Sequence, residues 1–267
     1  MKKAASRIYM LLVFLFLYAP IIVMMVFSFN ESKSRTVFTG FTLDWYYKLF
    51  QNDVIISALG NTMLVAVIAS IASTVIGTAA AIGIFAMNKR LRSFVLNVTY
   101  IPILNPEIVT GVSLMLLFGF IGLNLGLTTL VLAHITFCVP YVILNVMPKL
   151  RQMNISLYEA AQDLGCSPVR AFFKVVIPEI MPGIITGFLM AFTYSLDDFV
   201  VSYFTTGATS QTLPIAIYSM TRRKVSPQIN ALSTLIFIAV LLILLLMNIR
   251  DARAYKRASQ NKKGDSL

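Results

Sequence analysis

Long apolar runs are the feature that most limits what this chain can fold into. Six stretches are apolar enough to be interpreted as membrane-spanning helices. They cover residues 8–29, 60–87, 94–121, 125–147, 179–203 and 229–249. Each is close to or longer than the ~20 residues that an α-helix needs to cross the hydrocarbon core. Only 12% of the chain is charged and its mean hydropathy is +0.80, whereas a soluble domain has about twice that charged share. The sequence therefore predicts an all-α membrane protein with about six transmembrane helices.

Residues 1–267 are interpreted as a single transmembrane domain. The first apolar run could be a signal peptide, but it exceeds the usual ~7–15 apolar residues and no small-x-small cleavage pattern follows it. We therefore expect it to remain as a span. The third run contains Pro102 and Pro106, so we expect a kinked helix there, which membranes tolerate when neighbours satisfy the freed carbonyls.

The distribution of basic residues predicts the orientation of the chain. Of its 22 lysines and arginines, six fall in predicted outer segments: Lys33, Arg35, Lys48, Arg222, Arg223 and Lys224. The others fall in predicted inner segments, including the basic tail at 250–267. This bias predicts both termini in the cytoplasm. The net charge of +11 is split into short clusters between apolar runs, a pattern that orients a membrane protein and does not indicate nucleic-acid binding.

The inner segment 156–178 is interpreted as two short helices. Ser156 and Glu159 match a capping box, and Gly165 is a typical helix terminator. Apolar side chains recur at helical spacing on one face of each helix. They are Leu157, Ala160, Ala161 and Leu164 in the first helix, and Val169, Phe172, Phe173 and Val176 in the second. These stripes could pack on the ends of the chain's own helices or in a groove of a cytoplasmic partner.

The order Glu-Ala-Ala, Gly, then Val-Val-Ile-Pro over 159–178 resembles the EAA loop of bacterial ABC importer permeases. In that family the loop is the coupling helix that docks on the ATPase subunit. The resemblance therefore implies that coupling to the ATPase depends on Glu159, Ala160, Ala161, Gly165 and Pro178.

The resemblance covers essentially the whole chain. The segments 18–20, 41–46, 105–109, 134–137 and 195–198 look like one permease subunit of the spermidine/putrescine importers. This implies the type I ABC importer permease (MetI-like) fold. It also implies three partners: a second, related permease, a dimer of ATP-binding subunits and an extracytoplasmic polyamine-binding protein. ATP and magnesium would bind to the ATPase subunits, so no cofactor is expected in this chain. The phosphate-binding pattern G-x-x-x-x-G-K-[ST] does not occur in it, and we expect it not to be an enzyme.

Three acidic residues within apolar spans are the candidate substrate site: Glu107, Asp197 and Asp198. Such a group costs at least ~2.5 kcal/mol in a membrane, so it normally faces a cavity or a partner. Helix rise places all three in the outer half of the membrane. Neither span contains Lys or Arg. An organic polycation could supply the missing charge, and so could a basic residue of the second permease.

Neighbouring residues extend the candidate site. Ser195, Asp198 and Ser202 share one face of a continuous helix, with Tyr194 beside them, which favours Asp198 as the pore-facing acid. Trp45 belongs either to an interfacial aromatic belt or to the mouth of the cavity, where it would attract ammonium groups. The single histidine, His134, is expected to form a hydrogen bond between helices.

Two alternatives remain open. An ABC permease could carry another solute, such as an opine, a metal ion or an oxyanion, although an oxyanion would favour basic groups or helix N-termini. An ion-coupled secondary transporter would be built from inverted repeats, and no convincing internal repeat is found in the sequence.

Overall fold

The computed structural model describes residues 2–34, 36–223, 227–239 and 241–242, and helices dominate these residues. The helices are α1 (Lys2–Phe27), α2 (Asp44–Phe50), α3 (Asp53–Ala86), α4 (Lys89–Leu104), α5 (Glu107–Phe120), α6 (Leu127–Gln152), α7 (Ile155–Asp163), α8 (Pro168–Ala171), α9 (Ile177–Asp197), α10 (Val200–Thr205), α11 (Leu213–Arg223) and α12 (Pro227–Ala239). A π-helical turn over Phe172–Val176 joins α8 to α9.

Four described helical segments are long and apolar enough to cross a membrane. They are Ser6–Phe27, Asp53–Ala86, Leu127–Gln152 and the continuous run Pro168–Asp197. The pair α4 and α5 would make a fifth span, but the two helices meet at 101°. The expected sixth span begins in α12, and much of its remainder lies outside the described residues.

The unit Val54–Ala216 has its core where α6 packs along α9, with α3 and α4 against them. Val142 and Val146 of α6 and Ile180 and Ala191 of α9 are fully or almost fully buried there. Gly187 lies directly against Val142, where an added Cβ would be 3.3 Å from that residue's Cα. Small residues allow such close approach between membrane helices, which is why this pair can form the centre of the unit.

The other unit comprises Met1–Asp53 and Ile217–Leu267. The segment between α1 and α2 is organised by Asn30, whose backbone pairs with Phe41 in an isolated bridge. The Asn30 side chain donates to the carbonyl of Val37 and accepts from the backbone N–H of Thr39. The indole N–H of Trp45 donates to the carbonyl of Asn30 at 2.7 Å. These bonds tie the segment before α2 to α2 itself.

Candidate functional site

The predicted span 94–121 is two helices, not one kinked helix. A residue that precedes proline is pushed out of the helical region by the proline ring, and Asn105 is extended, with ψ of 140°. Pro106 then supplies the N-cap position of α5. Glu107 is therefore the first residue of a new helix, and the depth expected for it from one continuous helix does not apply. A carboxylate is favoured at this position by the positive end of the helix dipole.

The predicted span 179–203 is also interrupted. Helix α9 ends at Asp197, and Asp198 is extended with ψ of 125°. The Asp198 carboxylate accepts from the backbone N–H of Val201 at 3.3 Å and of Ser202 at 2.7 Å. These bonds cap the N-terminus of α10. Ser195, Asp198 and Ser202 therefore do not share one face of a continuous helix, as the sequence predicted, because the helix is interrupted at Asp198.

The structure nevertheless brings these three residues together, around His134 of α6. Nδ1 of His134 is 2.7 Å from the hydroxyl of Ser195, and Nε2 is 2.9 Å from the hydroxyl of Ser202. A carboxylate oxygen of Asp198 lies 3.6 Å from Nε2. The exposed fraction of the side chain is 1% for His134 and 6% for Asp198. The expected hydrogen bond between helices is thus present twice, to α9 and to α10. We name His134 with its two serine partners the histidine bridge.

A cavity of about 320 Å³ lies beside this cluster. Four of the expected site residues line it: Glu107, Tyr194, Asp197 and Asp198. Of the three acids, Glu107 and Asp197 are exposed, whereas Asp198 is held by the bonds to α10. Ser195 is buried in the histidine bridge instead. No Lys or Arg occurs among the described residues that line this cavity.

Aromatic and amide side chains complete the wall. The rings of Tyr141 and Tyr194 are stacked with centroids 4.2 Å apart, and Phe137 lies in van der Waals range of the His134 ring, at 5.1 Å between centroids. Asn105 at the α4–α5 break also lines the cavity. The cavity therefore combines negative charge with aromatic surface.

The segment 156–178, which the sequence predicts to be cytoplasmic, differs from its expected form at both ends. Asn154, not Ser156, is the N-cap of α7, and its side chain accepts from the backbone N–H of Ser156 at 3.1 Å. Pro178 does not close the segment, because α8, the π turn and α9 form one run over Pro168–Asp197. Pro178 therefore lies inside this run, two residues after the π turn, a type of irregular helical turn that accompanies kinks in α-helices.

The turn after α7 has the expected form. Gly165 has φ of +82°, and the backbone N–H of Cys166 donates to the carbonyl of Ala161 at 3.0 Å, as in a helix ended by a left-handed residue. Leu157 and Leu164 on the α7 stripe are exposed, Leu164 to 89%. The described part of this chain therefore leaves the stripe largely uncovered.

Trp45 lies in the other unit and is only 7% exposed. Its indole donates to Asn30, and the ammonium of Lys48 lies 4.9 Å from the centre of the Trp45 ring. One aromatic face therefore already contacts a cation of this chain. A place for Trp45 on the substrate path stays a prediction.

Comparison with known proteins identifies the family. Residues 73–259 match the model of the binding-protein-dependent transport system inner membrane component. The chain belongs to this family. It is 41% identical to the putrescine transport system permease protein PotI of Escherichia coli K12 over 239 residues, or 86% of this chain and 85% of PotI. It is 37% identical to the spermidine/putrescine transport system permease protein PotC of Haemophilus influenzae, over 89% of this chain and 93% of PotC.

Solved structures of ABC importers have the same fold as this inner membrane component. A chain of a bacterial transporter that imports the acidic polysaccharide alginate superposes with a TM-score of 0.73 at 14% identity, over 92% of this chain and 95% of that one. A chain of the MetNI methionine transporter gives a TM-score of 0.60 at 15% identity, over 80% of this chain and 98% of that one. The type I importer fold expected from the EAA loop is thereby confirmed.

Tyr141 and Phe137 of this transport component line the cavity but were not among the site residues predicted from the sequence. A signal was present, because His134, Phe137 and Tyr141 recur at i, i+3 and i+7 and so share one face of α6. Aromatic residues are common in apolar spans, and without the position of α9 nothing distinguished this face from one that contacts lipid.

Proposed function

We propose that this chain is a permease subunit of an ATP-driven importer and that, with a second permease, it forms the translocation path for polyamines such as putrescine and spermidine. The observation that carries the proposal is the cavity lined by Glu107, Asp197 and Asp198, in which no described lining residue is a lysine or arginine. Ionisable groups at membrane depth normally face a partner or a cavity. A substrate with two or more ammonium groups supplies the opposite charge.

The aromatic wall supports the same class of substrate. The stacked pair Tyr141 and Tyr194 offers apolar surface to the methylene carbons of a polyamine. An aromatic face also attracts an ammonium group, by about 0.5–1 kcal/mol at an exposed site and more where water is excluded. Tyr194 is 37% exposed, so part of its surface remains free for such a contact.

The fold does not decide the substrate, because structural neighbours with the same fold serve alginate and methionine. The relatives at 36–41% identity are named for putrescine or spermidine. The names of the relatives and the acidic lining of the cavity both indicate a cationic substrate. This agreement favours polyamines over an oxyanion, an opine or a metal ion.

The exposed stripe of α7 supports docking on an ATP-binding subunit, through Glu159, Ala160, Ala161, Gly165 and Pro178. In this arrangement ATP and magnesium bind to two copies of that partner, and this chain has no catalytic site of its own. An extracytoplasmic binding protein delivers the polyamine. Both termini lie in the cytoplasm of a bacterial cell, in agreement with the distribution of basic residues.

Reconstitution tests the proposal. The complete importer, with its ATPase, both permeases and the binding protein, is placed in liposomes and uptake of labelled putrescine and spermidine is measured. We expect uptake to require ATP. We also expect unlabelled polyamines to compete with the labelled ones for uptake, whereas an oxyanion, an opine and a divalent metal ion do not compete. Uptake driven by a proton or sodium gradient without ATP would indicate a secondary transporter. Competition by one of the other solutes and not by polyamines would assign a different substrate.

A further inference from the structure

The break between α9 and α10 places two adjacent carboxylates in different surroundings. Asp197 is exposed at the cavity. Asp198 has both carboxylate oxygens bonded to the first turn of α10, and its side chain is 6% exposed. The break contains neither proline nor glycine, and its local signal is Asp198 itself, a residue type that is favoured at helix N-caps. A cap permits a new helix to begin but does not fix the direction of α10 relative to α9, so a contact that joins the two helix ends is needed to hold them.

The histidine bridge is the interaction in the right place. Ser195 lies in the last turn of α9 and Ser202 in the first turn of α10. His134 contacts both hydroxyls through opposite ring nitrogens, and a serine hydroxyl can donate to or accept from either one. The imidazole therefore fixes the two helix ends relative to each other. It also lies 3.6 Å from Asp198, against the carboxylate that caps α10.

The other end of α10 is fixed separately. The hydroxyl of Thr129, also on α6, donates to the carbonyl of Thr205 at 2.9 Å. Helix α10 is thus attached to α6 at both ends, and only the attachment through His134 is next to the cavity. This difference provides an internal control.

We propose that His134 is a positioning residue for the substrate site: through Ser195 and Ser202 it holds the α9–α10 break so that Asp198 caps α10 and Asp197 faces the substrate. The inference rests on the proposed function, because it assigns to Asp197 the role of binding a substrate amine. His134 itself does not contact the substrate. Its effect is transmitted through the backbone of the break and through Asp198.

The test separates substrate affinity from the amount of working complex. Uptake kinetics are measured with the reconstituted importer for His134→Leu, which removes both polar contacts, and for His134→Gln, which keeps a donor and an acceptor. We expect KM for the polyamine to rise about three- to tenfold in His134→Leu, the range given by the net loss of one hydrogen bond. His134→Gln should recover part of the affinity. Thr129→Val removes the far attachment of α10 and also the contacts of Thr129 with Gly126 at the start of α6. It should reduce the yield of complex and leave KM unchanged.

A double-mutant cycle examines whether His134 acts through Asp198. If it does, adding His134→Leu to Asp198→Ala raises KM little beyond the value for Asp198→Ala alone, because contacting residues are not additive. Additive increases in KM would contradict this route. If His134→Leu does not assemble, Ser195→Ala and Ser202→Ala are measured instead, and both should raise KM.

Two results would overturn the proposal. One is an unchanged KM in His134→Leu, or in both serine variants where that variant does not assemble. The other is an equal rise in KM for Thr129→Val, which would indicate general loosening of α10. Absence of polyamine uptake by the wild-type importer would instead contradict the proposed function, so the two failures are distinguishable.

Discussion

Asp197 and Asp198 are adjacent and chemically identical, yet they lie in different surroundings. At this site the role of a carboxylate therefore depends on the groups around it and not on its residue type alone. One carboxylate is exposed at the cavity and the other accepts two backbone N–H groups. In the sequence both acids are distinguished by their position within an apolar run, and both line the cavity in the structure. The sequence could not indicate which acid faced the substrate, because the choice depends on a helix break that His134 stabilises from another helix.

The ring of Tyr194 gives a prediction at the same scale. Tyr194→Ala removes an aromatic face that lines the cavity and is stacked on Tyr141. We expect KM for putrescine uptake to rise roughly two- to tenfold, from the loss of a cation–π and packing contribution. Tyr194→Phe keeps the face and serves as the matched control, with KM near the wild-type value. An unchanged KM in Tyr194→Ala would remove the tyrosine pair from the substrate site.

At the scale of whole elements, the positions of helices were more predictable than their ends. The apolar runs predicted the positions of α1, α3, α6 and α9, because a helix that crosses the lipid hydrocarbon must be a long apolar stretch. Pro102 and Pro106 signalled an interruption, but not that α4 and α5 would meet at 101°. The break at Asp198 has no proline or glycine and hydropathy contains no signal for it. Aspartate is favoured at helix N-caps, but inside an apolar run that preference alone did not indicate a break.

The α7–α8 turn gives a prediction for an element. Gly165 has φ of +82°, and a β-branched residue in that conformation costs about 1–2 kcal/mol. Gly165→Val should therefore distort the turn after α7 and reduce both transport and co-purification of the ATPase subunit. Gly165→Asn is the matched control, since asparagine also occurs at this helix position. Full co-purification and transport in Gly165→Val would contradict the assignment of this segment to coupling.

At the scale of the whole molecule, family and fold follow from properties spread along the chain. The apolar runs, the clusters of basic residues between them and the EAA loop agree with one another. The comparisons with known transporters confirm the family and the fold. The substrate depends on a few side chains in one cavity, which the fold alone does not specify. That is why the site requires its own test.

The orientation of the chain can be tested by cysteine labelling. Cys166 is partly exposed and Cys138 is buried, so Cys166→Ser gives a background with low reactivity. In it, Lys33→Cys and Thr209→Cys should react with a membrane-impermeant maleimide added outside the cell. Arg90→Cys should react only after the membrane is opened. Labelling of Arg90→Cys in intact cells would reverse the orientation inferred from the basic residues.

The most direct test of the central claim is polyamine uptake after removal of the two exposed cavity charges. Glu107→Gln and Asp197→Asn each remove one negative charge and leave the shape of the side chain almost unchanged. At an effective dielectric of about 20, unit charges ~4 Å apart attract by roughly 4 kcal/mol, and losing a third of that is about tenfold in affinity. Asp53→Asn, at an exposed acid that begins α3, is the control.

We expect each single variant to raise KM for putrescine and spermidine about tenfold and the double variant to raise it further. Assembly with the ATPase should stay intact in all of them, and Asp53→Asn should match the wild type. Undiminished uptake by the double variant would contradict a polyamine site at these acids. Loss of assembly would show instead that the carboxylates form a structural ion pair with the second permease.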